Sequence, residues 1–136
     1  MAETQTLDPR STNVIYNGVA VVGFAKNSSI KVEKKEDNFE ASTGLMGDVT
    51  AIENCDETGT ITLKIKRGSS SIPFFIKEAK KRGDAAWAPC QVIDLNANAV
   101  SSSGTKCRVV KAPSIELGGE VGEVEIQIFV ADLQMN

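Results

Sequence analysis

The sequence predicts a mainly β domain, an antiparallel β-sandwich or partial barrel with one flanking α-helix. Three observations carry this expectation. Alternating apolar and polar residues recur along the chain, most cleanly in "TITLKIK" and "EVEIQIFV", and a period of two marks half-buried strands. Only one stretch, "SSIPFFIKEAKKRG", has a strong helical period. No strand–helix–strand rhythm is present to build a parallel sheet. At 136 residues the chain is most simply one domain over residues 13–136, preceded by a polar, mobile arm over residues 1–12. A chain of this size buries roughly two-thirds of its unfolded surface, enough for a core without staples.

Taken in order, "NVIYNGVAVVGFA" is dense in β-branched residues and is expected to form one long strand, bent at Gly18 and Gly23. In "SSIKVEKKE", Ile30 and Val32 fall on one face and Lys31 and Glu33 on the other, a half-buried strand. "GDVTAIEN" is a weaker strand, and "CDETG" a turn joining it to "GTITLKIKRG" as a hairpin around Asp56 and Gly59. In the latter, Ile61, Leu63 and Ile65 oppose Thr60, Thr62, Lys64 and Lys66. In the helix, Ile72, Phe75, Ile76 and Ala79 make one apolar face. Ser71 is expected to cap its start, with Pro73 tolerated in the first turn. Lys80, Lys81 and Arg82 are expected in the last turn, and Gly83 to stop it. "CQVIDLNANA" and "TKCRVVKAPSIEL" read as two strands around a turn near Asn96 and Asn98. "GEVEIQIFVADLQ" closes the set, with Val124, Ile126, Ile128 and Val130 against Glu123, Glu125 and Gln127. The sum is six to eight strands.

Composition narrows the function. Fifteen Lys and Arg against eighteen Asp and Glu give a net charge of −3, unlike the basic surface of a nucleic-acid binder. No apolar run approaches the roughly 20 residues that span a bilayer, so no membrane partner is expected. The stretch "MAETQTLDPRSTN" lacks the apolar core of a secretion signal, and the expectation is synthesis in the cytoplasm. With no histidine, the commonest general base and metal ligand is missing. "GGEVG" precedes a strand and reads as a turn rather than a phosphate loop. "KKED" reads as solvated surface, and the cations of "KEAKKRG" suit a helix C-terminus better than a nucleic-acid patch, for want of interleaved aromatics. Cys55, Cys90 and Cys107 have no CxxC spacing and no histidine company, which disfavours zinc. No enzyme, cofactor or metal is expected.

One stretch resists these plain readings. "EDNFEASTGLMGDVT" is rich in turn formers, too glycine-rich for regular structure, yet carries Phe39, Leu45 and Met46. Either this loop folds back over its own core, or it docks as an extended hairpin loop on a neighbouring subunit. In the second case three buried side chains contribute about 1.5–3 kcal/mol each, and Gly44 and Gly47 let the loop adapt.

The order of "GFA", "SSIKVEKKED", "GLMGDVT", "TGTITLKI", a short helix, "VIDLNAN" and "KAPSIELGGEVGEVEIQIFVADLQM" resembles the tail tube proteins of contractile-tailed bacteriophages over residues 13–135; the fold is also similar to the tube of type VI secretion. The resemblance implies hexameric rings with a continuous inner β-barrel, stacked into a hollow tube inside a contractile sheath, hence virion localisation. Its partners would be further copies, the sheath, terminator and baseplate proteins, with DNA passing through without specific binding. The loop that reaches the next ring in such tubes matches Asp37, Asn38, Phe39, Glu40, Leu45, Met46 and Asp48 here. The arm and the C-terminal "DLQMN" are further candidates for inter-ring contact. A wall that lets DNA slide should repel phosphate, so Glu116, Glu120, Glu123 and Glu125 are candidates for the lumen, with Lys64 and Lys66 facing elsewhere or paired with acids. Adjacent subunits with Cα atoms under about 7 Å apart would let the cysteines form an inter-subunit disulfide. Two other readings remain: a tube or adaptor ring of a related injection or secretion system, and a monomeric β-barrel carrier whose pocket buries the loop's apolar groups.

Overall fold

A computed structural model describes residues 12–24, 30–95, 101–115, 118 and 122–135. Its strands are β1 (Thr12–Tyr16), β2 (Val19–Ala20), β3 (Ile30–Lys34), β4 (Phe39–Thr43), β5 (Val49–Glu53) and β6 (Gly59–Lys66), followed by the helix α1 (Ser71–Ala79). A 3-10 turn, Gly83–Ala86, leads to β7 (Ala88–Asp94), β8 (Ser102–Val109), β9 (Glu123–Val130) and β10 (Gln134–Met135). Eight strands form one sheet in the order β2-β1-β7-β8-β9-β6-β3, with β10 on β8, while β4 and β5 pair only with each other. Every pairing is antiparallel.

The sheet is strongly curled. Val21 N–H still bonds the Val14 carbonyl at the β2 edge, yet three residues later Phe24 bridges Ile65 on β6. Three residues span about 11 Å at most, whereas five strand steps across a flat sheet cover about 24 Å. The two ends of the sheet are therefore bent towards each other, a partial barrel whose hydrogen-bonded path stays open between β2 and β3.

Alternation sends one face of β1, β6 and β9 inward. Val14 and Tyr16, then Ile61, Leu63 and Ile65, then Val124, Ile126, Ile128 and Val130 are all buried. Helix α1 lays Ile72 and Phe75 on this core, with Ile76 and Ala79 partly buried against it. Tyr16, Phe74 and Phe75 pack as an aromatic trio, with ring centroids 5.3–6.1 Å apart.

Local details depart from the sequence expectations. The first strand is not one bent strand but a tight hairpin: Asn17 and Gly18 take φ of 51° and 78°, the doubly positive turn that Asn-Gly favours because it matches strand twist. The chain is already paired at Thr12, opposite Asp94. At α1 the N-cap position is Ser70, whose side chain makes no capping bond. The Ser69 hydroxyl instead accepts from Ser71 N–H (3.2 Å) and donates to the Val22 carbonyl (2.6 Å), while Ser71 Oγ accepts from Val22 N–H (2.9 Å). The helix ends at Ala79 with Lys77 in its last turn, so Lys80, Lys81 and Arg82 lie just beyond it. Gly83, at φ 67°, opens the 3-10 turn. The turn near Asn96 and Asn98 lies outside the described residues.

The C-terminal residues serve the subunit itself. Leu133 is buried, and its N–H donates to the Glu57 carbonyl (3.0 Å). Strand β10 resumes the β8 ladder after an interruption in which Asp132 accepts from the backbone N–H groups of Thr105 and Lys106 and from the Thr105 hydroxyl. "DLQMN" was expected at an inter-ring contact. Within the subunit Asp132, Leu133, Gln134 and Met135 close this corner of the sheet, and Gln134 and Met135 stay exposed.

Candidate docking hairpin

The apolar stretch is regular structure, contrary to its glycine content. Strands β4 and β5 pair in register, Phe39 opposite Glu53, Ala41 opposite Ala51 and Thr43 opposite Val49. The β-branched and aromatic residues at these positions favour the pleat, and the glycines are confined to the turn. There Gly44 N–H donates to the Asp48 carbonyl (2.7 Å), and Gly47 N–H to that of Gly44 (3.1 Å). Gly47 has φ 88°, a conformation that a side chain would oppose.

The expected hairpin between β5 and β6 is not formed, because β6 pairs with β3 on one side and β9 on the other. Instead β4 and β5 continue the β3–β6 pair outward. Lys35 N–H bonds the Thr58 carbonyl (3.1 Å), and Asn54 N–H bonds that of Asn38 (2.9 Å). Between them Asp56 accepts from Thr58 N–H (2.9 Å) and from its hydroxyl (2.6 Å). These bonds, from the Thr58 hydroxyl first, hold the Asp56 carboxyl below the usual range. The nine steps from Lys34 to Thr43 give a reach of at most about 30 Å.

This arm stands clear of the core. Every residue of β4 and β5 is exposed, and so are Asp37, Asn38, Leu45, Met46 and Asp48. Leu45 is 102% exposed and Met46 87%. The reading in which the loop folds back over its own core is thereby overturned, as is burial of these groups in a ligand pocket. Val49 and Ile52, which the sequence reading passed over, are exposed at 69% and 56%. Period-two alternation puts Phe39, Ala41, Val49 and Ala51 on one face of the arm, and Glu40 and Ile52 on the other.

Charge is concentrated in the same segment. Residues 36–57 contain seven carboxylates and no lysine or arginine. With a chain total of −3, the remainder carries a surplus of four positive charges. Counting acids in a window, rather than over the whole chain, would have shown this.

The other candidate residues fall as follows. Glu116 and Glu120 lie outside the described residues, as do residues 1–11 of the N-terminal arm expected over 1–12. Glu123 and Glu125 are exposed on β9, directly opposite Lys66 and Lys64 on β6, so acids and bases share one face and offset each other. Cys55 is exposed, but Cys90 and Cys107 are fully buried. The expectation of an inter-subunit disulfide fails for these two, since neither sulfur reaches the surface. Cys107 and burial together push the Cys90 thiol well above its ordinary range. The Tyr16 hydroxyl, also enclosed, is raised by burial and by the nearby Glu78 carboxylate. Among the described residues, no helix is long and apolar enough to cross a membrane.

No protein-family model and no curated protein matches the chain. Solved structures do. The tube-terminating cap of the anti-feeding prophage is 13% identical with a TM-score of 0.64, covering 100% of this chain and 94% of that one. A chain from the PVC sheath/tube terminator of an extracellular contractile injection system, in the extended state, is 12% identical with a TM-score of 0.64, covering 99% of each. A chain from the sheath–tube complex of that system is 10% identical with a TM-score of 0.60, covering 96% and 91%. The shared property is the fold: this chain has the tail-tube-like fold of contractile injection assemblies.

Proposed function

We propose that the chain is a structural subunit of a phage tail tube, in which rings of six copies stack into a conduit for DNA within a contractile sheath, and that the β4–β5 arm docks on a neighbouring copy. The observation that carries this is the arm itself. A two-stranded hairpin is marginal in water, and this one projects its apolar residues away from its own core. Burying Leu45, Met46, Phe39 and Val49 contributes about 1.5–3 kcal/mol each, enough to make docking the step that completes the arm. Likeness of fold to tube and terminator chains supports the class of assembly. The domain at residues 13–136, with its preceding arm, would be the repeating unit, and sheath, terminator and baseplate proteins its other partners.

The test is Leu45→Asp with Met46→Asp, two substitutions at fully solvated positions. The expected product is folded and soluble but forms no tubes by negative-stain microscopy and sedimentation. Normal tubes from this variant would refute docking. A second reading, a terminating ring, is favoured by the near-complete mutual coverage with the terminator chains. It predicts single rings that do not stack at any protein concentration, which the same micrographs distinguish.

A further inference from the structure

The arm needs a receptor, and we infer that it is the basic groove between the end of α1 and strands β8 and β9 of a second copy of this chain. The inference rests on the docking reading above and names the surface that reading leaves open.

Four cations rim this groove: Lys81, whose Nζ is already paired with Glu78 (3.0 Å), and Arg82 just after α1, Arg108 on β8, and Lys111 beyond it. Its floor includes Val110, 54% exposed, and Phe129. None of the described residues lining it is acidic. Arg108 is held in place by stacking over Trp87, 5.3 Å from the ring centroid, and Trp87 in turn packs against Phe129 at 6.3 Å. A planar guanidinium braced on an aromatic ring is preorganised to receive a carboxylate.

The occupant this groove fits is apolar at its centre and acidic around it. That description matches the arm, whose Leu45 and Met46 form the tip, with Asp48 at the turn and Glu40 about 13 Å back along β4, in a segment that holds seven acids and no base. Cation rim meets carboxylates, and Val110 and Phe129 meet the tip. Donor and receptor are different surfaces of one chain, so the contact is heterologous and propagates from copy to copy. Complementary charge steers the encounter and sets register, while the apolar tip holds it.

The experiment compares assembly by sedimentation and microscopy for wild type, for Arg82→Glu with Lys111→Glu, for Glu40→Lys with Asp48→Lys, and for the combination of all four. Both groove positions and both arm positions are exposed, and circular dichroism verifies that each variant is folded. Each double variant should raise the concentration for half-assembly about tenfold or more, and the combination should recover to within about threefold of wild type. Wild-type assembly should also weaken as salt rises from about 0.1 M to 1 M, where the screening length falls from about 10 to 3 Å. If the groove variant assembles normally while Leu45→Asp with Met46→Asp does not, docking stands and this groove is not the receptor. If both assemble normally, docking itself falls. If the groove variant fails and the fourfold combination does not recover, the groove serves a different acidic partner, and the arm is not its occupant.

Discussion

Lys81 joins the buried end of the helix to solvent, and replacing it with Met should expose how that end is held. Its Nζ lies 3.0 Å from Glu78 Oε1, with the lysine side chain 36% exposed and the glutamate 5%. The second oxygen, Glu78 Oε2, is enclosed with no hydrogen-bond partner, as is the Tyr16 hydroxyl. At an effective dielectric of about 20 the raw attraction is about 5 kcal/mol, most of which offsets desolvation. Orphaning a fully buried carboxylate costs about 3–5 kcal/mol; because Lys81 is a third exposed, we discount this to about 2 kcal/mol. An unfolding entropy of about 2.1 cal/mol/K per residue converts that into a Tm lower by about 7 °C. Methionine keeps the apolar stem, so packing is largely retained. The assay is thermal unfolding by circular dichroism at concentrations below assembly. Glu78→Leu with Lys81→Met, which removes both charges, should recover most of the loss. A single variant melting within about 2 °C of wild type would refute the argument. So would a double variant no more stable than the single, since the loss would then not come from an unpaired charge.

Two further outcomes follow from the corner of the sheet and from the thiols. Partial burial raises the Asp132 carboxyl, but bonds from the Thr105 hydroxyl and the N–H groups of Lys106 and Thr105 outweigh it and hold the group below the usual range. Its contribution to stability is therefore present above the ordinary carboxylate value near pH 3.9 and fades as pH falls through the depressed folded value. Asp132→Asn should lower the melting temperature at neutral pH by an amount that shrinks in acid; a difference constant with pH would contradict this. Thiol titration should find one fast group per chain in the folded protein, Cys55, and all three only in denaturant. Rapid labelling of two or more would show that Cys90 or Cys107 is not enclosed.

The parts of this fold legible in the sequence are those whose signal is local. Strands β6 and β9 alternate so regularly that their inward sets emerge directly, and α1 announces itself by an apolar face at helical spacing. Pairing is another matter. The sequence shows a turn after β5, and a turn between two strands invites a hairpin. Yet β6 is the better partner for β3, because Ile30 and Val32 match the inward set Leu63 and Ile61, whereas β5 has no buried face to offer. Tertiary competition, which a local reading does not see, settles it. The Asn17-Gly18 hairpin was legible by its turn chemistry but hidden by the β-branched residues on both sides. The exposed β4–β5 arm is half visible: Phe39, Leu45 and Met46 stand out in a turn-rich context. Val49 and Ile52 look like ordinary strand residues until the structure shows that their strand belongs to no core.

That arm poses a problem for any single copy, and its charge is the physical answer. An exposed two-stranded ribbon carrying apolar side chains invites pairing with an identical ribbon, the isologous contact that ends in aggregation or a dead-end dimer. Seven carboxylates in one segment oppose that contact, because like charges brought face to face cost several kcal/mol. The same carboxylates favour a surface of opposite sign, and the structure offers one where the end of α1 meets β8. Repulsion between arms and attraction between arm and groove act in the same direction. In the proposed tube, both would disfavour the symmetric encounter and leave the head-to-tail one, the kind of contact that extends a filament. On this view the modest net charge of −3 is not the absence of an electrostatic strategy. It is the sum of an acidic arm and a basic remainder, the two surfaces proposed to meet between copies.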